Sequence, residues 1–279
     1  MASFEVEPLA PTLGAEVHGL DLREALSPND LAGVEAALLE HLVLFFRAQP
    51  LSVEQQLARA RQFGEVEPHA FGPHDPKCTE VGVLDQSTPQ YDGSNRWHCD
   101  STFMPRPPRL VMLRAEQLPA LGGDTCWASM YAACEALHPA LRETLETLNA
   151  THDVSGPLLR AVEAGHSVGE LETVRAAWPL LSHPVICRHP ETQRPLLYVN
   201  SNFSVRIDEL EEAESDALLS LLFDWVRNPD FQLRFKWEPD SVALWDNRCT
   251  QHFAVADYRE RRLMHRVAIA DSLAPQPVH

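Results

Sequence analysis

The order of apolar and polar positions separates a few helical runs from many short strands. Ser27 precedes Pro28 and a run reaching about His41, which predicts a helix with Ser27 as N-cap and proline at its first position. Ser52-Val53-Glu54-Gln55 has capping-box spacing, and Gly64 ends the run that closes at Phe63. Between them, Leu42-Val43-Leu44-Phe45-Phe46 is short, apolar and aromatic, as expected for a buried strand. A third helix is expected to open at Ser129 and run past Leu137. A fourth should span about 209–226, with Leu218, Leu221, Leu222 and Trp225 on one face. Strands are expected at about 81–85, 109–115, 183–188, 196–200, 231–236, 242–246 and 264–270.

The 22 prolines are spread through connections, and there is no repeat, low-complexity tract or linker. This pattern predicts one domain over residues 1–279, a β-sandwich or jelly roll with helices packed outside it. Residues 154–179 carry Gly156, Gly165 and Gly169 and read either as a surface helix with flanking loops or as a lid over a site.

Composition narrows the function. With 279 residues, 44% of them hydrophobic, the chain can bury a full-sized core without disulfides or structural metals. A net charge of −17 disfavours nucleic acid and anionic membrane surfaces, and an anionic substrate would need locally placed arginines. The start has no secretory pattern, and the longest apolar stretch, Leu42–Phe46, is far below the ~20 residues of a membrane helix. Cys78, Cys99, Cys126, Cys134, Cys187 and Cys249 form no C-x-x-C pair and read as free thiols in a reducing cytoplasm.

Three segments carry candidate chemistry. In Trp97-His98-Cys99-Asp100, an extended backbone would point His98 and Asp100 to one side and Cys99 to the other. Trp245-Asp246-Asn247-Arg248-Cys249-Thr250-Gln251-His252 follows an apolar strand and places a second histidine in the turn beyond it. Two histidines and one carboxylate from separate strands make the facial triad that holds Fe(II) with open positions, whereas zinc prefers closed tetrahedral sites. In Arg261-Arg262-Leu263-Met264-His265-Arg266, the guanidiniums of Arg262 and Arg266 share a strand face. Inward arginines need anionic partners, and an arginine fork suits a carboxylate.

The chain resembles the Fe(II)/2-oxoglutarate-dependent taurine/dichlorophenoxyacetate dioxygenase family, and is most similar to its taurine dioxygenase branch. The resemblance runs over almost the whole chain, in order. It covers Pro11–Val17, Gly19–Leu22, Arg61–Glu65, Trp97–Asp100, Gly122-Gly123-Asp124-Thr125, Trp245–Arg248 through Tyr258, and Met264-His265-Arg266. It implies an α+β fold with a double-stranded β-helix (jelly-roll) core and flanking α-helices. It assigns His98, Asp100 and His252 to iron, and Thr125 and Arg262 to the distal carboxylate of 2-oxoglutarate. Arg266 falls near the keto-acid's other end and the substrate's anionic group. The implied reaction consumes O2 and 2-oxoglutarate, hydroxylates a substrate C–H bond, and yields succinate and CO2.

Substrate contacts implied by the resemblance are His69, Phe71, Ser94, Asn95, Val154, Phe203 and Arg266, with Gly72 where that branch has a tyrosine. Ser94 stands where it has an asparagine, and Val154 where it has an aromatic. These departures imply a roomier, more apolar pocket for a small organic anion. The expected substrate is an organosulfonate that undergoes C–S cleavage, in sulfur metabolism. An alkyl sulfate ester or aryloxyalkanoate is the alternative, and an inactive jelly-roll ligand-binding protein is the non-enzyme alternative. Relatives self-associate, which implies a homodimer or homotetramer.

Overall fold

The protein is described by a computed structural model covering residues 3–68, 73–87, 93–163 and 171–279. The first two helices form where their caps predict. Ser27 Oγ accepts from the Asp30 N–H at 3.1 Å at the start of Pro28–His41. Ser52 and Gln55 cap each other reciprocally before Val53–Phe63. No helix among the described residues is long and apolar enough to cross a membrane.

The strand between these helices, Val43–Phe46, explains its own uninterrupted apolar sequence. Val43 and Phe45 face one core and Leu44 and Phe46 face another, so both faces are buried. It lies inside an eight-stranded sheet ordered Glu5–Pro8, Ala15–His18, Val43–Phe46, Val242–Asp246, Leu110–Gln117, Arg262–Ile269 and Val66–Glu67, with Gly82–Gln86 also paired to Arg262–Ile269. On one face of this sheet, Leu44, Phe46, Val267 and Ile269 meet Val34, Leu38, Leu57 and Phe63 from the first two helices.

On the other face lies a three-stranded sheet ordered Gln232–Phe235, Thr125–Ser129 and Thr250–Ala254. Aromatic rings join the two sheets. Phe45 stacks on Phe235 at 3.9 Å between centroids and meets Trp127 edge-on at 5.3 Å, while Trp127 meets Trp245 at 5.6 Å. Two further three-stranded sheets, Ser204–Ile207 with Asn149–His152 and Leu181–Pro184, and Pro195–Leu197 with Ile186–Arg188 and Gln276–Pro277, complete the strands. Helix Glu212–Trp225 packs on the Ser204–Ile207 side.

Several expectations need correction. The helix at Ser129 spans only Met130–Glu135, and a separate helix, Pro139–Leu145, begins after it at a proline. On helix Glu212–Trp225 the buried side is Ser215, Leu219 and Leu222, while Leu221 is 49% exposed. The stretch 183–188 is divided between two strands in different sheets. The described residues of 154–179 include two helices, Ser155–Glu163 and Leu171–Ala177, and residues 164–170 lie outside the described residues. Strands Thr125–Ser129 and Thr250–Ala254 lack a clear two-residue alternation in sequence, yet they form the sheet that carries the site.

The stacked ring of Phe45 sits at the junction of both sheets, with no solvent exposure. Phe45→Ala should cost about 3–5 kcal/mol of stability through lost burial and an unfilled cavity. Equilibrium denaturation by urea would measure this as a lower midpoint with an unchanged slope.

Candidate active site

The site begins with a single rung of backbone pairing. His98 lies beyond the edge of the small sheet and pairs antiparallel with His252. His98 N–H donates to the His252 carbonyl at 3.1 Å, and His252 N–H donates to the His98 carbonyl at 2.8 Å. Residues so opposed project side chains on the same face, and the two imidazoles lie 4.1 Å apart between ring centroids. His252 therefore sits in a strand, not in the turn expected after Val242–Asp246.

Asp100 reaches the same point by a turn instead of an extended strand. Ser101, directly after it, has φ 56°, and Asn247 holds the turn from below. Asn247 Oδ1 accepts the Asp100 N–H at 2.9 Å, and its Nδ2 donates to the carbonyls of Asp100 and Pro108 at 3.1 and 3.0 Å. Asp100 Oδ1 then lies 3.6 Å from His98 Nε2 and 3.8 Å from His252 Nε2. These separations are too long for hydrogen bonds. The three ligand atoms all lie within 4.8 Å of one another.

The donor atoms suit a cation. His98 Nδ1 donates to the Arg96 carbonyl at 2.7 Å, which leaves Nε2 turned toward Asp100. Burial, reinforced by neighbouring His98, pushes the His252 pKa down to about 3, so that ring is neutral. Its Nδ1 is buried with no hydrogen-bond partner. Two imidazoles and a carboxylate form a nitrogen–oxygen donor set that suits a divalent transition metal. Cys99 points away, as expected, with Sγ 2.7 Å from the Asn247 carbonyl and 3.2 Å from that of Thr250.

The two arginines on Arg262–Ile269 face inward but have different partners. Arg266 donates through Nε and Nη2 to Asp100 Oδ2 at 3.2 and 2.8 Å, which leaves Oδ1 toward the histidines. Arg262 is 4% exposed and has no carboxylate within ion-pair distance among the described residues. Its Nε donates to the Gly123 carbonyl at 3.0 Å and its Nη2 to Thr125 Oγ1 at 3.4 Å. Burial pulls its pKa down to about 10, so it remains a cation at neutral pH. Thr125 Oγ1 also accepts from Trp237 Nε1 at 2.9 Å, and with both lone pairs engaged its hydroxyl proton is left to meet an acceptor. Gly123, at φ 73°, brings its carbonyl against Arg262, and a Cβ there would lie 3.1 Å from Arg262 Cδ.

Of the expected substrate contacts, Val154 and Phe203 come together in a small apolar cluster with Phe103 and Leu158, bordered by Met104, Val174 and Trp178. The Phe103 ring is 5.3 Å from Phe203 and 5.5 Å from Trp178. The Ser94 carbonyl accepts the Ala254 N–H at 2.8 Å. Asn95 instead lines a cleft of about 720 Å³ with Trp97 and Phe253, the neighbours of His98 and His252 that alternate away from them. His69, Phe71 and Gly72 lie outside the described residues.

One supporting group was not foreseen in the sequence. His189 Nδ1 accepts from the N–H groups of Glu191 and Thr192 at 3.3 and 3.2 Å, so its Nε2 carries the proton and donates to Asp246 Oδ2 at 3.0 Å. Burial alone would raise the Asp246 pKa, but the bidentate Arg248 guanidinium and His189 outweigh it and hold the carboxyl far below its usual range. Asp246, His189 and Cys249 are close enough to resemble a second metal set. The committed proton and the arginine fork make it a closed structural network, and it anchors the strand end from which Asn247 projects.

Residues 5–268 match the family described as taurine catabolism dioxygenase TauD, TfdA family, and the chain belongs to that family. It is 34% identical to the alpha-ketoglutarate-dependent sulfate ester dioxygenase of Pseudomonas putida, over 96% of this chain and 89% of that protein. It is also 34% identical to the (S)-phenoxypropionate/alpha-ketoglutarate-dioxygenase of Sphingobium herbicidovorans, over 98% of this chain and 97% of that one. The crystal structure of a taurine dioxygenase from Burkholderia xenovorans superposes with a TM-score of 0.84 at 34% identity, covering 99% of this chain and 92% of that chain.

Asn247 touches no proposed ligand atom, yet it fixes the backbone of Asp100. Asn247→Ala should weaken Mn(II) or Fe(II) binding roughly 10–100-fold while the fold persists. An anaerobic metal titration, read beside thermal unfolding, separates that effect from simple destabilisation.

Proposed function

We propose that this protein is an Fe(II)/2-oxoglutarate-dependent dioxygenase that hydroxylates a small organic anion, with an organosulfonate as the leading substrate and C–S cleavage as the outcome. The observation that carries the reading is the pairing of a three-atom nitrogen–oxygen donor set with a buried arginine that has no anionic partner among the described residues. The two facing sheets are read as a double-stranded β-helix, and residues 154–179 as the lid over its mouth.

His98 Nε2, His252 Nε2 and Asp100 Oδ1 would hold the metal. Arg266 keeps the other Asp100 oxygen occupied, so Oδ1 is the oxygen that would meet the metal. Arg262 and the free proton of Thr125 would receive the distal carboxylate of 2-oxoglutarate, supplying the anion that a buried guanidinium requires. The chemistry supplied there, when iron and 2-oxoglutarate are bound, is O2-driven hydroxylation of a substrate C–H bond with succinate and CO2 as co-products. The chain's contribution is a fixed ligand set, a clamp and an apolar wall from Phe103, Val154 and Phe203.

A sulfate ester or an aryloxyalkanoate is the second reading, favoured by relatives that are 34% identical and named for such substrates. The six free cysteines, five of them buried, suit a reducing cytoplasm.

Succinate release by the iron-loaded protein should require both O2 and 2-oxoglutarate, and His98→Ala should abolish it together with metal binding. A substrate panel identifies the class: sulfite marks a sulfonate, sulfate with an aldehyde marks an ester, and a phenol marks an aryloxy acid. Full turnover by His98→Ala would overturn the reading.

Arg262→Ala should raise the 2-oxoglutarate concentration for half-maximal succinate release roughly 30-fold or more, equivalent to about 2 kcal/mol of lost binding. Metal affinity in the same variant should stay near that of the wild type.

A further inference from the structure

No helix or strand element falls within residues 93–103, the segment that carries His98 and Asp100. The His98–His252 rung ties this segment to the small sheet, and Asn247 holds the Asp100 backbone. A second stretch, the turn Asn200–Asn202, grips it through three consecutive side chains, each at a different point. Asn202 Nδ2 donates to the Gly93 carbonyl at 3.1 Å, Ser201 Oγ to the Trp97 carbonyl at 3.0 Å, and Asn200 Nδ2 to Thr102 Oγ1 at 3.0 Å. His98 and Asp100 lie between the last two of these grips. Gly93, at φ 107°, comes so close that a Cβ there would lie 2.9 Å from Asn202 Oδ1.

The grip on Thr102 belongs to a closed ring of buried groups. Asn200 Oδ1 accepts the N–H groups of Asn202 and Phe203 at 3.1 and 3.0 Å, which fixes the amide and turns Nδ2 toward Thr102. Thr102 Oγ1 also lies 2.8 Å from His152 Nδ1, and His152 Nε2 lies 3.3 Å from Ser204 Oγ. Ser204 Oγ accepts the Asn200 N–H at 3.0 Å and closes the ring. Burial, with His183 beside it, pushes the His152 pKa well down, so its imidazole is neutral. Thr102 and His152 have no solvent exposure, and Asn200 has 1%. In such a ring any displacement leaves a buried donor or acceptor unmatched, so Thr102 is a fixed point two residues beyond Asp100. Backbone pairing already joins Ser204 to His152 across their sheet. The bond to Thr102 is therefore not needed for that pairing, and its reach is to the ligand segment.

We infer that Asn200 is a positioning residue for the metal ligands: through Thr102 it fixes the turn after Asp100, and with Ser201 and Asn202 it sets where His98 and Asp100 stand relative to each other. This deepens the dioxygenase reading and rests on it for the role of the metal.

Anaerobic Mn(II) titration of wild type, Thr102→Val and Thr102→Ser tests the inference, because valine keeps the shape of threonine and cannot accept from Asn200. Thr102→Val should weaken Mn(II) binding about tenfold or more, and Thr102→Ser less than about twofold. With Co(II) in place of Mn(II), the visible spectrum should change in Thr102→Val and match wild type in Thr102→Ser. Asn200→Ala should lose as much affinity as Thr102→Val, and the double variant no more than either alone. Reduced thermal stability of Thr102→Val with Mn(II) affinity near that of wild type would make the grip purely structural and overturn the inference. Equal losses in the valine and serine variants would overturn it as well. If Thr102→Val does not fold, Ser201→Ala at the half-buried middle grip decides: weaker Mn(II) binding by about threefold or more supports the inference, and unchanged binding overturns it. Mn(II) binding by wild type without O2-dependent succinate release would instead defeat the dioxygenase reading and leave the comparison of variants intact.

Discussion

The site depends on one reciprocal backbone pair, His98 with His252. Strand pairing usually serves stability through many rungs, but here a single rung at a sheet edge sets two imidazoles on one face. The side chains need no long-range packing of their own, because two N–H···O bonds fix their separation. The Thr250–Ala254 strand that presents His252 is held in turn by Thr125–Ser129, whose Trp127 sits in the aromatic core between the sheets. Core packing is thereby converted into ligand geometry over two strands. Asp100 joins from a turn, and its position depends on Asn247, which follows the strand end stapled by Asp246, Arg248 and His189.

Charge is allotted sparingly within a chain of net charge −17. Three arginines near the site have distinct tasks. Arg248 neutralises Asp246, Arg266 occupies one oxygen of Asp100, and Arg262 is left facing a hydroxyl and a carbonyl. Removing a guanidinium from water is costly unless an anion compensates. The first two are compensated within the protein, and only Arg262 calls for an anion from outside. Under the proposed function, the distal carboxylate of 2-oxoglutarate would answer that demand. The same accounting shows why Arg266 is a poor free anchor for a substrate anion: its charge is already engaged.

Much of the site was legible in sequence because its parts are contiguous motifs. His98 with Asp100, the Gly122–Thr125 turn, and the Arg262/Arg266 pair each lie within a few residues, and period-two alternation correctly put both arginines on one face. Helix caps at Ser27 and Ser52 were legible for the same reason, since a cap is a local bond. What stayed hidden depends on distance along the chain. His189 meets Asp246 across 57 residues, and Asn247 meets Asp100 across 147. The strand carrying His252 reads as a turn because Thr250 and Gln251 are polar yet buried, their polarity satisfied by backbone carbonyls. Leu221 was misassigned because a largely apolar helix offers more than one plausible face, and packing against Ser204–Ile207 decides which is used.

Under the proposed function, chemistry and selectivity would fall on different packing clusters. The ligand set and Arg262 stand on sheets flanked by the two large cores. The wall assigned to the substrate is built from Phe103, Val154, Leu158 and Phe203, a small separate cluster closed by helices Ser155–Glu163 and Leu171–Ala177. Changing a residue in that cluster repacks a few neighbours and leaves the inter-sheet aromatics untouched, so the cost of altering substrate shape stays local. Altering Trp127 or Asn247 would instead disturb the metal ligands whatever the substrate. Under the proposed function, such local changes would alter the wall while the ligand set and clamp stay fixed. That division accounts physically for how chains one-third identical to this one carry names as different as sulfate ester dioxygenase and phenoxypropionate dioxygenase.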